Sequence, residues 1–289
     1  PISLVLAKET NKSKTLFLTT FYFGFLTLAY TSLPGTPQLS NVLAAQMLGT
    51  SPTAAPVLSI IASVVMFVLG YGYSAYLDKK FEKKGIVFED NGKGMKMTSV
   101  ERDSCPPFAV AVIPMLVMLI MFMALSNGWF GITKMGTIIA LCSSLIVSTV
   151  VCIALNFKRS SNWVAALGQG SQESLGPLVS LFTMVAFSSV VSATPAFKAF
   201  INWVISIPGH PYLQVLIASN AIGLVTAAGS TTVQITLNSF AEHWLASGMV
   251  NPEALTRIVA ISSIGLSCGP HAGGLLANLD VTGESIKDA

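Results

Sequence analysis

Apolar runs separated by short breaks organise the chain. The first run, residues 16–30, stops at Thr31-Ser-Leu-Pro-Gly-Thr-Pro-Gln38, where Pro34, Gly35 and Pro37 cannot carry a helix onward. A helical pattern resumes over 39–48, turns at Gly49-Thr-Ser-Pro52, and continues over 56–77 as one full-length span. No Asp, Glu, Lys, Arg or His occurs from 16 to 77. At about 20 residues per bilayer crossing, that stretch holds two or three crossings. Reading 16–48 as one crossing interrupted in its middle makes 56–77 the return. Residues 107–125 and 135–157 predict a further pair, which brings the chain back to Lys158-Arg159 on its starting side.

The second half is more interrupted. An amphipathic connector, 162–173, precedes 175–207, which Ser192-Ala-Thr-Pro195 divides either into one crossing plus a short arm or into a re-entrant hairpin. Residues 212–228 reach Gly229-Ser-Thr-Thr232 and resume over 233–245, which predicts a second interrupted span. Asn251 and Pro252 are the residue types of a helix cap and first helical position. The helix they open is interrupted at Gly269-Pro-His-Ala-Gly-Gly274, before 275–279. The chain thus divides into 1–77, a broken helix and the span after it; 78–106, a charged cytoplasmic loop; 107–174, two spans and the connector; and 175–289, a hairpin, a broken helix and a C-terminal span. The Lys-rich stretches on either side of 16–77 then both face the cytoplasm, as the positive-inside rule prefers.

Composition removes the main alternative. Hydrophobic types make up 52% of the 289 residues and charged types 10%, against roughly a quarter charged in a soluble domain. Short strands of alternating polarity, which a membrane barrel would need, are missing from the pattern. The expectation is an all-α polytopic membrane protein, multi-pass in a bacterial-type inner (plasma) membrane. Net charge +3 comes from short cationic runs at helix ends, so the lipid bilayer is an expected partner and nucleic acid is not. Cys105, Cys142, Cys152 and Cys268 have no paired spacing that would suggest a disulfide framework or a zinc site.

The chemistry is expected at the breaks. Amides and carbonyls released by a helix break in hydrocarbon must find partners, and half-helices meeting there aim positive N-terminal and negative C-terminal ends into one cavity. Thr31, Ser32, Gly35, Thr36 and Gln38 at the first break, with Gly229, Ser230, Thr231 and Thr232 at the second, would make a polar, uncharged substrate cradle. An anion bound there would be held by helix dipoles, amides and hydroxyls, with no Arg or Lys. The competing reading makes Pro34–Pro37 an interfacial loop and 229–232 a small-residue packing seam. His271 is the candidate for carrying a coupling proton, or else a neutral imidazole bonded to a carbonyl freed by the glycines. Glu242, His243 and Asp280 fit solvated span ends, and His210 a loop. Nucleophile-elbow, phosphate-loop, zinc-protease and dinucleotide motifs are absent, so neither an enzyme nor a cofactor or metal is expected.

Ser32-Leu-Pro-Gly-Thr-Pro37 with Asn41-Val42, Leu48-Gly-Thr50 and Pro56, then Pro195-Ala-Phe-Lys198, Gly229-Ser-Thr-Thr-Val233, and Pro270-His271 with Thr282-Gly-Glu-Ser285 and Lys287-Asp288, resemble the gluconate permease family of proton-coupled organic-acid symporters within the ion transporter superfamily. The resemblance implies an inverted-repeat transporter fold with broken transmembrane helices and a re-entrant hairpin, an elevator-like displacement, and a homodimer. It also implies that the family's N-terminal third, with its first hairpin, and its last span lie outside this sequence. Ala272, where the family often has Asn, and Ser192-Ala-Thr at the hairpin depart from its pattern. The expected function is import of a small organic anion, a gluconate-like sugar acid or short hydroxy acid, coupled to H⁺. The alternatives are a Na⁺-coupled carboxylate symporter, a channel, or a non-transporting membrane subunit. Inversion requires 175–207 to contribute one net crossing.

Overall fold

A computed structural model describes residues 2–89, 106–131, 133–157 and 162–287, and the described residues are helical with no strand. After a short α1 (Ile2–Glu9), α2 (Lys14–Gly24) passes without interruption into a π-helical segment, Phe25–Ser32. The break at 33–38 comes next, then α3 (Leu39–Met47) and, beyond a turn, α4 (Pro56–Lys83). Among the described residues, three helices are long and apolar enough to cross a membrane: α4, α5 (Phe108–Asn127) and α6 (Thr137–Asn156). Their outer faces are apolar, with Ile60, Ile61, Val64, Phe67, Ile139 and Ile146 all exposed. Such faces are stable against lipid and not against water.

α4 runs six residues past the apolar stretch, taking in the start of the charged loop. Lys80 and Lys83 in its last turn suit the negative end of the helix. Most of the remaining loop, including Cys105, lies outside the described residues.

Side-chain contacts set α4 antiparallel to α2 and the π segment. Lys12 bonds Asp78, Thr20 bonds Ser74, Gly70 lies against Phe23, and Ser63 Oγ donates to Ser32 Oγ at 3.1 Å. The first break is therefore level with Ser63, seven residues or about 10 Å below the start of α4. α3 has nine residues, about 13 Å, and so returns the chain to the level of Pro56. The break therefore lies beside the apolar part of α4, between the π segment and α3.

α5 and α6 form an antiparallel pair, with Met135 N donating to Leu125 O at 2.9 Å and Ser148 Oγ to Pro114 O at 2.7 Å. α7 (Trp163–Ser192) is one continuous helix that absorbs both the expected connector and the run after it. It starts at Asn162, whose side chain accepts from Ala165 N, and gives way where Thr194 caps α8 (Pro195–Ser206) by accepting from Phe197 N at 3.2 Å.

One element differs from the sequence reading. α9 (Pro211–Thr226) and α10 (Gly229–Ala246) are not two halves of an interrupted span. Trp244 Nε1, near the end of α10, donates to Gln214 Oε1, near the start of α9, at 3.1 Å, and Thr226 and Thr232 hydroxyls meet at 2.9 Å beside the turn. The pair is an antiparallel hairpin with 229–232 at its tip. Periodicity cannot distinguish the two, because a helix that continues and a helix that doubles back have the same apolar pattern. Ala227 at φ +50 turns the chain.

The second broken span lies further on, in α11 (Pro252–Gly265) and α12 (Gly273–Thr282). α11 packs against the π segment, with Arg257 reaching Thr31. α12 packs against α2, where Lys14 Nζ donates to Thr282 O at 3.4 Å and a Cβ on Gly274 would lie 3.4 Å from the Tyr22 hydroxyl. This broken span runs opposite to α2 and the π segment along its whole length.

Candidate substrate-binding site

The second break and the hairpin tip share a depth. Asn251 N donates to the Tyr212 hydroxyl at 3.0 Å, which sets the starts of α9 and α11 side by side. α11 then descends 14 residues, about 21 Å, to its break, and α9 descends 16 residues, about 24 Å, to the hairpin tip. A Cβ on Gly223 would meet Ser267 Oγ at 2.7 Å and Ser263 O at 3.0 Å, so the hairpin lies close along α11 where that helix ends. A Cβ on Gly229 would stand 3.0 Å from Ile264 Cγ1 and 3.2 Å from Tyr30 Cε1. The second predicted elbow therefore touches the residue that precedes the first.

Helix polarity results from this layout. α10 and α12 both start at this depth, and α9 and α11 both end there. Positive and negative helix ends thus face a common region, where released N–H and C=O groups can serve an anion and a cation respectively.

α2, the π segment, α4, α11 and α12 line a half-open cavity of about 340 Å³, with Ile264 as the wall it shares with Gly229. Most of its lining is apolar. The polar groups on it are Thr19, Tyr22, Thr27, Thr31 and Cys268.

The predicted site residues divide into two groups. At the first break most polar groups are already satisfied within the protein. Thr31 Oγ1 donates to Thr27 O at 3.1 Å, Ser32 accepts from Ser63, and Asn41 Nδ2 donates to Thr36 Oγ1 and, at 3.2 Å, to Tyr30 O. Gly35 has φ +80, and a Cβ there would crowd Met123 Cε at 3.0 Å, while its N–H donates to Pro52 O at 3.0 Å. Gln38 precedes α3 in extended conformation and offers its carbonyl to Val42 N without capping through its side chain.

At the hairpin tip Thr232 Oγ1 donates to Ala228 O at 3.0 Å. Thr231 Oγ1 is buried with no hydrogen-bond partner among the described residues, and Ser230 is 8% exposed. His271 lies in the 266–272 link of the second broken span, exposed, with its ring against Gly269. Its neighbours Cys268 and Leu275 line the cavity.

The expectation of a cradle without Arg or Lys needs correcting. Arg257 of α11 is 0% exposed and lies at the first break. Its Nη1 donates to Thr31 O at 2.8 Å and Asn41 Oδ1 at 3.0 Å, and its Nη2 to Pro52 O at 2.7 Å and Ala54 O at 3.3 Å. The sequence signal is the single arginine of this helix, directly before the apolar run Ile258-Val-Ala-Ile261, in a chain with few charges. Tyr22, Thr27 and Tyr30 were missed for a different reason. They lie on a run whose apolar character hides which face is buried.

Along its whole length the chain is similar to an uncharacterized transporter, YxjC, of Bacillus subtilis (strain 168), at 23% identity over 320 aligned positions that cover 68% of that protein. The chain matches no family profile and no solved structure.

Proposed function

We propose that the protein is a secondary carrier that imports a small organic anion across the bacterial inner membrane by alternating access. The observation that carries this reading is the approach of Gly229 to Tyr30 within the membrane-spanning body, beside a cavity of about 340 Å³. A carrier needs a central site that is reached through elements able to move apart, and discontinuous helices meeting at such a site are a recurrent solution. The likeness to a protein described as a transporter supports the same class. The antiparallel relation of α11–α12 to α2 and the π segment is what an inverted repeat requires, and the resemblance to the gluconate permeases suggests elevator-type movement and a homodimer.

In this proposal the solute's carboxylate is held by the N-terminal ends of α10 and α12 and by Ser230 and Thr231. Thr231 supplies a buried hydroxyl that lacks a protein partner among the described residues. H⁺ is the proposed coupling ion, with His271 in the link at the second break as the group that carries it. A thermal-shift screen of carboxylates on the complete protein tests the site. A ligand whose stabilisation is lost in both Ser230→Ala and Thr231→Val supports it, and stabilisation that survives both changes places the site elsewhere. Na⁺-stimulated uptake without dependence on a pH gradient would remove His271 from the mechanism. Counterflow of labelled solute separates a carrier from a channel, which shows no trans-stimulation.

A further inference from the structure

The guanidinium of Arg257 sits in a cage made only of oxygen. Three backbone carbonyls, Thr31, Pro52 and Ala54, and the side-chain oxygen of Asn41 accept from its two terminal nitrogens. Arg257 is fully buried, and among the described residues no carboxylate lies within ion-pairing distance of its guanidinium. Glu253, one turn earlier on α11, bonds Ala55 N at 3.4 Å instead. The charge is therefore solvated by dipoles alone. All four oxygens belong to the first break, to α3, or to the turn between α3 and α4.

A burial of this kind is costly unless the ligand set suits a cation. Carbonyl and amide oxygens released where a helix unwinds are the donor set that holds a dehydrated monovalent ion in discontinuous-helix carriers. Here the oxygens converge on a cation that is covalently part of the chain. Nε of the same side chain is buried without a partner among the described residues, so the arginine is held at its terminal nitrogens, where the cage is.

We propose that this cage is a monovalent-cation site filled from within. Arg257 stands where a carrier coupled to Na⁺ at its helix break would bind the ion. The first break then keeps its shape through the transport cycle without external Na⁺, and ion coupling falls to another group. That consequence for transport rests on the carrier reading above. The occupancy of the cage does not, and it can be tested without any solute.

The test is thermal unfolding of the complete purified protein, as wild type, Arg257→Gly and Arg257→Met, in choline, Na⁺ and guanidinium chlorides at equal millimolar concentration. In choline both variants should unfold lower than wild type, by on the order of 10 °C. Na⁺ or guanidinium should return at least half of that loss to Arg257→Gly, which leaves the cage open, while wild type responds equally to all three salts. Arg257→Met as stable as wild type would show that no cation is needed. Arg257→Gly unfolding at one temperature in all three salts would show that the oxygens do not form an ion site. Wild type stabilised by Na⁺, with the gain lost in Asn41→Ala, would show the cage open to external ions. Each of these three results overturns the proposal. Should Arg257→Gly fail to fold, Arg257→Lys is compared with Arg257→Met, and equal stability of those two overturns it as well.

Discussion

Trp244 Nε1 donates to Gln214 Oε1 at 3.1 Å between two residues that are both nearly buried, and this bond closes the open end of the α9–α10 hairpin. Gln214 does more than accept. Its Nε2 donates to Ile205 O at 3.1 Å and Ile207 O at 3.0 Å, satisfying carbonyls left over where α8 ends. One side chain therefore ties three helices together. Gln214→Leu keeps most of the volume but strands an indole N–H and two carbonyls, which should cost about 2–4 kcal/mol. Trp244→Phe strands only the amide oxygen and should cost about 1–3 kcal/mol. Unfolding in mild detergent checks both. If Gln214→Leu is the milder change, the hairpin is not closed here.

At the opposite end of the fold, Lys12 Nζ bonds Asp78 and reaches Glu82 Oε1 at 3.4 Å, fastening the start of α2 to the end of α4. The hydrogen bond to Asp78 is the largest influence on the Lys12 ammonium. With the charges of both acids it outweighs desolvation and raises the pKa above the ordinary 10.5. A raised lysine pKa contributes its stability in full below the unfolded value and loses it as pH rises through the folded one. The melting-temperature difference between wild type and Lys12→Gln should therefore be constant from neutral pH to about 9 and shrink only beyond the ordinary lysine range. Added salt should shrink it at any pH, since the pair is solvent-accessible. A difference that grows with alkalinity would contradict this arrangement.

The sequence made the breaks legible and left their partners hidden. Pro34, Gly35 and Pro37 forbid helix whatever surrounds them, so the first break could be placed without a structure. The same holds for Thr194-Pro195 and for Gly269-Pro270, where local chemistry alone stops a helix. The direction the chain takes after a break is set by distant contacts. Val233 continues an apolar pattern equally well whether α10 extends α9 or folds back along it, and the contact that decides, Gln214 with Trp244, spans 30 positions. Arg257 shows the same limit from the side of charge. Its four acceptors lie more than 200 positions away, and nothing near it in the chain announces them. The residue types of Thr31 and Ser32 point to cradle hydroxyls, whereas the π segment and α4 already engage them.

Contact between the hairpin tip and the π segment leaves little room at Gly229. Alanine there would sit 3.0 Å from Ile264 Cγ1 and 3.2 Å from Tyr30 Cε1, which a small rotation of the isoleucine can relieve. Valine cannot be accommodated that way, and overpacking of this size costs about 1–3 kcal/mol. If the tip must approach Tyr30 to close on a solute, Gly229→Val should lower carboxylate uptake by roughly tenfold or more while Gly229→Ala stays within roughly threefold, in line with the free-energy difference between them. Adding Ile264→Ala to Gly229→Val should restore part of the uptake. Full activity in Gly229→Val would mean that closure takes place elsewhere.

Cys268 offers a direct probe of cavity occupancy. It lies in the link between α11 and α12, lines the cavity, and is exposed, with its thiol directed to Ile264 O at 3.8 Å. Cys142 is also exposed, but on the apolar α6. A small charged thiol reagent should therefore modify Cys268 through the cavity and leave Cys142 largely unmodified in the bilayer. In a protein with Cys105, Cys142 and Cys152 changed to serine, a carboxylate at ten times its Kd should slow labelling of Cys268 by roughly tenfold, because only the unoccupied fraction reacts. The same solute should not slow labelling in a parallel protein that retains only Cys142. Equal rates with and without a solute already shown to stabilise the protein would separate that solute's site from the cavity that Cys268 lines.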